Sequence, residues 1–393
     1  MSCSRFGIDC IWPILKQRIP PAATLTYTEP LPKCAQSLTR TKGRGRPRNT
    51  WSNSLAHTQP AGVPNGLDVQ HLDNLNIQDA ELLLHFVQST AQTLAGNNSC
   101  PGSSISRFWT TNAPRIGLSY PFVLHLIYAL TAYHLASQHS TGHELRQRYR
   151  DLASRHLYQG TAGLASATRH LDRNNCGAAY LGATLLCYCT FAAGPVASED
   201  LMICHLGTHH NVRWVNLVSG LRLIRQAFGT DDLFSGLMSP LGRSPDNSDS
   251  RDCHAPLYKE LGLERLPWGS AMNRLDCFVS RQTGQHAPCC LVELVELRKV
   301  FEGVYGDGSG VCNVSTDYRH VLGWLYRLNG EYIRAVQDGD AAALAILAHF
   351  SVILKVLQDE WWLHGWAEHI CVAVGRTVKH SVMEWPIAHV LHS

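Results

Sequence analysis

The 393-residue sequence has few of the period-two alternations of apolar and polar residues that mark β-strands. It also has no fixed-period repeat of the tetratricopeptide or ankyrin kind. Apolar residues recur instead at helical spacing, most clearly on the face formed by Trp214, Leu217, Val218, Leu221, Ile224 and Phe228. We therefore predict an all-α fold, an irregular multi-helix bundle or stack.

Signatures of common catalytic sites are absent as well. The sequence contains no H-E-x-x-H, G-x-S-x-G or G-x(4)-G-K-[ST] motif and no dinucleotide-binding glycine pattern. Its 21 histidines, with His209 and His210 among them, lack metal-ligand spacing on a common helix face. We predict no catalytic residues and no enzyme activity, and an enzyme of unknown type stays as an alternative.

Signals for export and for membrane insertion are also lacking. No charged start followed by an apolar run and a small-residue cleavage site opens the chain. The longest apolar stretches, residues 121–136 and 341–357, fall short of the ~20 residues that a spanning helix needs, so we predict no membrane span. The 14 cysteines fit no small disulfide scaffold. We expect reduced thiols and interpret four cysteines as small buried hydrophobic residues: Cys187, Cys189, Cys289 and Cys290.

The net charge of +3 is unevenly distributed along the chain. Residues 1–50 hold nine Lys and Arg against Asp9 and Glu29, a local balance of +7 that leaves −4 for the remainder. Residues 1–75 lack sustained periodicity and are rich in Pro, Thr, Ser and Gly, which favours a disordered tail and linker. A basic tail on a mildly acidic body predicts a polyanionic partner at the N-terminus.

Basic residues alternate along one extended segment of this tail, around the sequence Arg44-Gly45-Arg46-Pro47. Such a core resembles the AT-hook, in which arginines lie in the minor groove of A·T-rich DNA. The alternative is a nuclear-import signal or a general phosphate-contacting tail. Both interpretations place the protein in the nucleus and predict salt-sensitive DNA affinity where binding occurs. The candidate DNA-binding residues are Arg40, Lys42, Arg44, Arg46 and Arg48.

Cys3 and Cys10 form a C-x6-C spacing that is followed by Trp12. This spacing resembles the last two cysteines of the fungal zinc binuclear cluster, in which six thiolates hold two zinc ions. The sequence has no C-x2-C anywhere, and two thiolates cannot complete the cluster. Zinc is therefore expected only if the missing cysteines precede Met1, because either the chain begins at an internal methionine of a longer protein or this member has lost the module.

Several motifs of the body occur in the order of the regulatory domain that follows this cluster in fungal transcription regulators. They cover residues 119–125, 130–136, 214–222, 360–366 and 384–386, so the resemblance spans roughly residues 70–390. The tryptophan-rich stretch with Trp361, Trp362 and Trp366 is its most specific part, and core packing is favoured over a ligand cage for these rings. The resemblance is to sterol-uptake control regulators and to similar regulators found beside fungal secondary-metabolite gene clusters.

This resemblance implies a nuclear regulator of RNA polymerase II promoters, controlling sterol or secondary-metabolite genes. In the sterol-sensing relatives the domain accepts a sterol, so an apolar effector in a pocket between helices is expected here, with pocket residues that the sequence does not identify. A homodimer is a further expectation. The alternative is an interaction partner that does not bind DNA and titrates intact family members.

The resemblance and the composition together divide the chain into three parts. These are a remnant of the zinc-cluster domain at 1–12, a basic Pro-rich linker at 13–75 and a helical regulatory domain at 76–393. We expect order to begin at Asn76, where Asp79 three residues on marks a helix start and Leu83, Phe86, Val87, Thr90 and Leu94 share a face. Further helices are predicted at 122–136, 144–170, 214–228, 291–304, 318–336, 340–357 and 361–380, with irregular segments at 194–210 and 229–256.

Overall fold

Helices account for nearly all of the secondary structure in the computed structural model, which describes residues 76–95, 103–139, 142–207, 213–242, 262, 266–307 and 318–392. Within those ranges the strand content is one isolated antiparallel bridge between Asp200 and His205. The predicted all-α fold is therefore confirmed.

Sixteen α-helices lie in the described part of the chain. They are α1 (Ile77–His85), α2 (Ala91–Leu94), α3 (Ser104–Arg107), α4 (Ala113–Ser119), α5 (Pro121–Gln138), α6 (His143–Ala167), α7 (Cys176–Ala193), α8 (Arg213–Leu233), α9 (Ser239–Gly242), α10 (Trp268–Ser280), α11 (Ala287–Tyr305), α12 (Tyr318–Arg327), α13 (Gly330–Gln337), α14 (Ala341–Lys355), α15 (Trp366–Thr377) and α16 (Glu384–Leu391). Turns of π-helix lie at Phe86–Thr90 and Phe108–Asn112, and 3-10 turns at Thr168–His170, Gly236–Met238 and Ser381–Met383.

Helix α5 is the centre of the N-terminal half. Pro121 occupies its first turn, where a missing backbone N–H costs nothing because that N–H has no partner within the helix. The helix packs against α4, α6 and α7, and Leu126, Ile127 and Leu130 are completely buried. Each such side chain contributes about 1.5–3 kcal/mol of burial free energy. The sequence-based prediction of a central helix that is apolar nearly all round is confirmed here.

Helix α14 is the centre of the C-terminal half. The Asp340 side chain accepts a hydrogen bond from the Ala343 N–H at 3.0 Å and so caps its N-terminus. At the other end the Lys355 ammonium donates to the Glu368 carboxylate at 2.9 Å and to the Val390 carbonyl at 3.0 Å. Lys355 therefore ties α14 to α15 and α16, and α11 packs on another side of the helix.

Two predicted helices are wrong in extent, because local caps interrupt them. The predicted helix 318–336 breaks between α12 and α13, where the Asn329 side chain caps α13 by accepting from the Glu331 N–H at 3.0 Å. The predicted helix 361–380 does not begin until Trp366, because Gly365 has a φ of +81° and the ten residues before the helix form turns. Trp361 and Trp362 therefore lie in a turn segment rather than on a helix.

The predicted irregular segment 194–210 is confirmed over residues 194–207. The predicted loop 229–256 is corrected at its start, because helical residues continue to Leu233 beyond a backbone break at Gly229, whose φ is +66°. Short helical turns follow up to Gly242, and residues 243–261 lie outside the described part of the chain.

The buried face of the first helix also differs from the expected one. Leu82, Phe86, Thr90 and Leu94 are buried, whereas Val87 is 36% exposed. The π-helical turn at Phe86–Thr90 widens the helix there and moves the buried face away from Val87.

In the described part of the chain, α7 is the one single helix whose length and composition would allow it to cross a membrane. It was not among the apolar stretches singled out from the sequence, and 61% of it is buried inside the protein. Helices α13 and α14 pass the same test only as a pair, and they are bent by 103°. Core helices of water-soluble folds also pass this test, so the finding is consistent with the predicted absence of a span.

Two glycines allow α5 and α6 to approach closely. A Cβ placed on Gly160 would lie 2.7 Å from the Leu126 side chain and 3.2 Å from its backbone nitrogen, and a Cβ on Gly163 would lie 2.7 Å from Phe122. Neither of these two positions on α6 can accept a larger residue unless α5 and α6 move apart. The α5–α6 contact therefore depends on the absence of side chains there.

We predict that Gly160→Ala destabilises the protein by about 1–3 kcal/mol, because overpacking against Leu126 outweighs the gain in helix propensity. Gly375→Ala is the matched control, since its Cβ would meet only Ile387, at an ordinary 3.6 Å, inside helix α15. Urea unfolding monitored by circular dichroism gives both free energies. Equal midpoints for the two variants would contradict the close approach of α5 and α6.

Candidate functional site

The tryptophan segment, residues 356–366, joins the C-terminal helices to the N-terminal ones. The Trp362 ring is 2% exposed and packs edge-on against Tyr188 at 4.8 Å between ring centroids and stacks on Phe191 at 5.9 Å. Both partners belong to α7. Because aromatic rings of this size contribute large buried areas, this contact holds α7 against the end of α14.

Two indole N–H groups add directional contacts to this packing. The Trp366 N–H donates to the Phe191 carbonyl at 2.9 Å, and Trp366 is 3% exposed. The Trp361 N–H donates to the Thr93 hydroxyl at 3.0 Å, and that hydroxyl donates to the Thr90 carbonyl at 2.8 Å. These contacts agree with the core-packing interpretation of Trp362 and Trp366, whereas Trp361 is half-buried and reaches a different part of the N-terminal half.

The Trp361 ring stacks on His134 of α5, with ring centroids 4.6 Å apart. The Nδ1 atom of His134 lies 2.9 Å from the Thr90 hydroxyl, and its Nε2 atom lies 3.2 Å from the Gln138 amide nitrogen. A neutral imidazole that donates from Nδ1 and accepts at Nε2 satisfies both contacts. Burial lowers the pKa of His134 from 6.5 to about 4, with a smaller contribution from His85, so the neutral form is the one present at pH 7.

A second polar cluster lies nearby, where α1 crosses α5 and α6. The Nδ1 atoms of His125 and His156 are 3.1 Å apart, and the Nε2 atom of His156 is 3.3 Å from the Asp79 carboxylate. The Tyr128 ring packs on His156 at 5.1 Å. Burial lowers the pKa of both histidines, and this effect outweighs the negative charge of Asp79, which raises both pKa values. This cluster ties Asp79 at the start of α1 to His125 on α5 and His156 on α6.

A cavity of about 380 Å³ lies beside this cluster, between α1, the end of α5 and the start of α6. We call it the α1 cavity. Its volume is within the range of small-molecule sites, and its walls mix apolar and polar side chains. The lining residues are Gln78, Glu81, Leu82, His85, Leu135, Leu145, Arg148, Tyr149 and Leu152.

His85 connects the α1 cavity to the His134 network. Its ring centroid lies 5.5 Å from that of His134, and its buried Nε2 atom has no hydrogen-bond partner among the described residues. Burial lowers the pKa of His85. A buried polar atom without a hydrogen-bond partner costs free energy in the folded state.

The structure does not test the site residues predicted from the sequence. Cys3, Cys10 and the five basic residues from Arg40 to Arg48 lie outside the described residues. Where the structure is described, no group of three or more His, Cys, Asp or Glu side chains could hold a metal ion. The zinc cluster needs six thiolates and the N-terminal pair supplies two, so the residues present do not fit it.

The four cysteines that we interpreted as buried hydrophobic residues are in fact buried. Burial raises the pKa of the Cys187 thiol to about 12 and raises that of Cys189 further. Burial also raises the pKa of Cys289 and of Cys290. Thiols held in the neutral form are poor nucleophiles and poor metal ligands.

Sequence reasoning did not find His85, His134 or the α1 cavity. Thr90 and His134 are 44 residues apart, so no local spacing connects them. Only the prediction that a pocket lies between helices anticipated such a site.

Comparison with known proteins gives a short match. No family model matches the chain. A stretch of 63 residues is 33% identical to sterol uptake control protein 2 of Candida albicans. The chain is loosely related to a fungal transcription regulator. The match covers 16% of this chain and 8% of that protein, so it bears on one part of the molecule and on no specific residue role.

We predict that the protein loses stability as the pH falls from 6.5 towards 4. The pKa of His134, and that of the fully buried His349, is about 4 in the folded protein against 6.5 in the unfolded chain. Between these values the unfolded chain binds more protons, so each histidine lowers the unfolding free energy by up to about 1.4 kcal/mol per pH unit. The stabilisation is fully present above pH 6.5.

Urea unfolding at pH 7.5, 6.0 and 5.0 measures this slope. The His134→Gln and His349→Gln variants should each have a shallower slope, because glutamine does not titrate. His143→Gln is the control, since His143 is exposed at the start of α6. A slope that neither His134→Gln nor His349→Gln changes would contradict the assignment of neutral buried histidines.

Proposed function

We propose that this protein is a nuclear transcription regulator of the fungal zinc binuclear-cluster kind that acts on RNA polymerase II promoters. The single observation that carries the proposal is the match to the C. albicans regulator. Two features support it: the ordered series of body motifs that resembles the fungal regulatory domain, and the all-helical body that those motifs form. Control of sterol or secondary-metabolite genes belongs to the same proposal.

In this proposal the basic tail makes the contact with DNA. Its arginines carry the charge that phosphates attract, and the sequence Arg44-Gly45-Arg46-Pro47 resembles the AT-hook, a motif that binds in the minor groove. Zinc takes part only where six thiolates are present, and a full cluster would add base-specific reading. The remainder of the chain carries a net charge of −4, so it contributes little to this attraction.

The helical body is the regulatory part in this proposal, and it acts without catalysis. Its described residues include a cavity of about 380 Å³, the α1 cavity, which lies next to a network that reaches the tryptophan segment. In this proposal, a ligand bound in the α1 cavity biases the packing between the two halves of the body. An apolar small-molecule effector is therefore the proposed input, and DNA binding by the tail is the proposed output.

We predict that the Arg44→Ala/Arg46→Ala/Arg48→Ala variant binds an A·T-rich duplex more weakly and with a reduced salt dependence. Each phosphate contact that is lost lowers the slope of log K against log salt by about 0.9. Arg107→Ala/Arg115→Ala/Arg146→Ala removes the same charge from exposed sites on the body and is the matched control. Fluorescence anisotropy measures the DNA affinity of both variants between about 50 and 200 mM salt, a range over which affinity typically falls by about 10³–10⁵-fold.

If the tail and the body variants bind equally, the tail is not the DNA contact. If the unaltered protein does not bind duplex DNA at all, the alternative of an interaction partner that titrates intact regulators is favoured. A pull-down with a second, zinc-cluster-containing family member then tests that alternative.

A further inference from the structure

Helices α5 and α6 bring two histidine side chains together beneath α1. His125 belongs to α5 and His156 to α6, and their rings stack with centroids 5.4 Å apart and Nδ1 atoms 3.1 Å apart. We call these two residues the histidine pair. His156 is 4% exposed, and Asp79 of α1 lies 3.3 Å from its Nε2 atom. Helix α1 therefore stands between this side chain and solvent.

The contact between the two Nδ1 atoms needs one proton between them. A neutral imidazole carries a proton on only one of its two nitrogens. A carboxylate oxygen only accepts, so Asp79 favours a proton on Nε2 of His156 and leaves Nδ1 of that ring as an acceptor. His125 then donates from Nδ1 and has an unprotonated Nε2 atom.

The neutral pair can take up two protons, with different consequences. The first binds to Nε2 of His125 and leaves the hydrogen bond between the rings intact. The second binds to Nδ1 of His156, which places two N–H groups 3.1 Å apart and positive charges on adjacent rings. Like charges repel strongly in a buried site, so the doubly protonated pair needs water around it.

Charges from two helices act on the histidine pair. Burial is the largest effect on the pKa of each histidine and lowers both values. Asp79 raises both pKa values, and Arg155 on α6 lowers that of His156. Tyr128 of α5 packs on His156, and because burial raises the pKa of its phenol, it is neutral at pH 7.

The other elements packed on these helices carry neutral or exposed groups. Helix α7 contributes the Cys189 thiol, which burial keeps neutral by raising its pKa and which donates to the Leu126 carbonyl at 3.7 Å. Helix α4 carries the exposed Arg115, and the 3-10 turn after α6 carries the exposed Arg169 and His170. The π-helical turn after α1 has no titratable side chain. Asp79 is thus the counter-charge of the pair among the described residues.

Helix α1 is the element that can move away from the pair. Helices α5 and α6 pack closely around Gly160 and Gly163, against Leu126 and Phe122, so their separation would expose a large apolar contact. Helix α1 has nine residues, and Leu82 is its one buried side chain. Few buried apolar contacts therefore oppose its movement.

We infer that α1 is a proton-released helix, which leaves its place on α5 and α6 when the histidine pair takes up two protons. Release of α1 removes one wall of the α1 cavity. The conformational change does not depend on the proposed function, whereas any use of it to regulate DNA binding does.

The direction of the pH effect follows from the protons bound by each form. Both pKa values are lowered from 6.5 in the folded protein, so below that pH the open form binds more protons than the closed form. Helix α1 is therefore fully held above pH 6.5 and is released progressively as the pH falls towards the lowered pKa values.

Native-state hydrogen exchange of the full chain tests the inference at about pH 7.5 and about pH 5.0, on either side of the ordinary histidine pKa. Protection factors correct for the intrinsic pH dependence of amide exchange. We expect the protection of residues 81–85 in α1 to fall at least about tenfold, because each histidine that is protonated only in the open form contributes about tenfold per pH unit. No loss of protection in the unaltered protein would overturn the inference.

Urea separates local release of α1 from global unfolding. Addition of about 1 M urea at the lower pH should leave the exchange of α1 nearly unchanged, because a local opening exposes little new surface. Exchange of α1 that rises with urea as steeply as that of α7 would report global unfolding and contradict a released helix.

Two variants should change the pH effect in opposite directions. His125→Asn should reduce the loss of protection to a few-fold, because the amide can donate to neutral His156 or, turned over, accept from its protonated form. Asp79→Asn should enlarge the loss several-fold, because the charge that raises both pKa values is removed. Simple damage to packing would move both variants in the same direction.

His170→Asn is the matched control, since His170 is an exposed histidine in the turn after α6. It should retain the full loss of protection in α1. An equal loss in His125→Asn and in the unaltered protein, or a loss abolished by His170→Asn, would overturn the inference.

Discussion

The packing of Trp362 against Tyr188 and Phe191 is the contact on which the two halves of the body depend. The N-terminal half is organised around α5 and the C-terminal half around α14, and each has its own buried helix. The tryptophan segment leaves α14 and buries its rings among the helices of the other half. Gly365, with its left-handed backbone, is what allows the chain to make this turn and then to start α15.

The same segment brings polar chemistry close to the hydrophobic junction. Trp361 contacts Thr93 and His134, and each of these is hydrogen-bonded to Thr90 in the π-helical turn at Phe86–Thr90. His134 also lies 5.5 Å from His85, which lines the α1 cavity. Widened helical turns of this kind are frequent at functional sites because they reorient neighbouring side chains. The arrangement thus places a cavity, buried histidines with lowered pKa values and the junction between the two halves close to one another.

Local signals predicted much of the fold and little of the site. Pro121 and Asp340 mark the starts of α5 and α14, and the apolar runs that follow them show that both helices are buried. The end of α12 and the turn before α15 were missed because the Asn329 side chain caps α13 and Gly365 has a left-handed backbone conformation, both within otherwise helical patterns. The pairing of Thr90 with His134 depends on how α1 crosses α5, and no periodicity in a single sequence encodes that crossing.

Native-state hydrogen exchange of the Trp362→Ala variant tests the role of the tryptophan segment most directly. Trp268→Ala is the matched control, because Trp268 is 7% exposed and stacks on Phe301 within the C-terminal half. If Trp362 holds the halves together, Trp362→Ala lowers the protection of both α7 and α14, whereas Trp268→Ala lowers it in α10 and α11. Loss of protection confined to residues 356–366 in the Trp362→Ala variant would contradict this role.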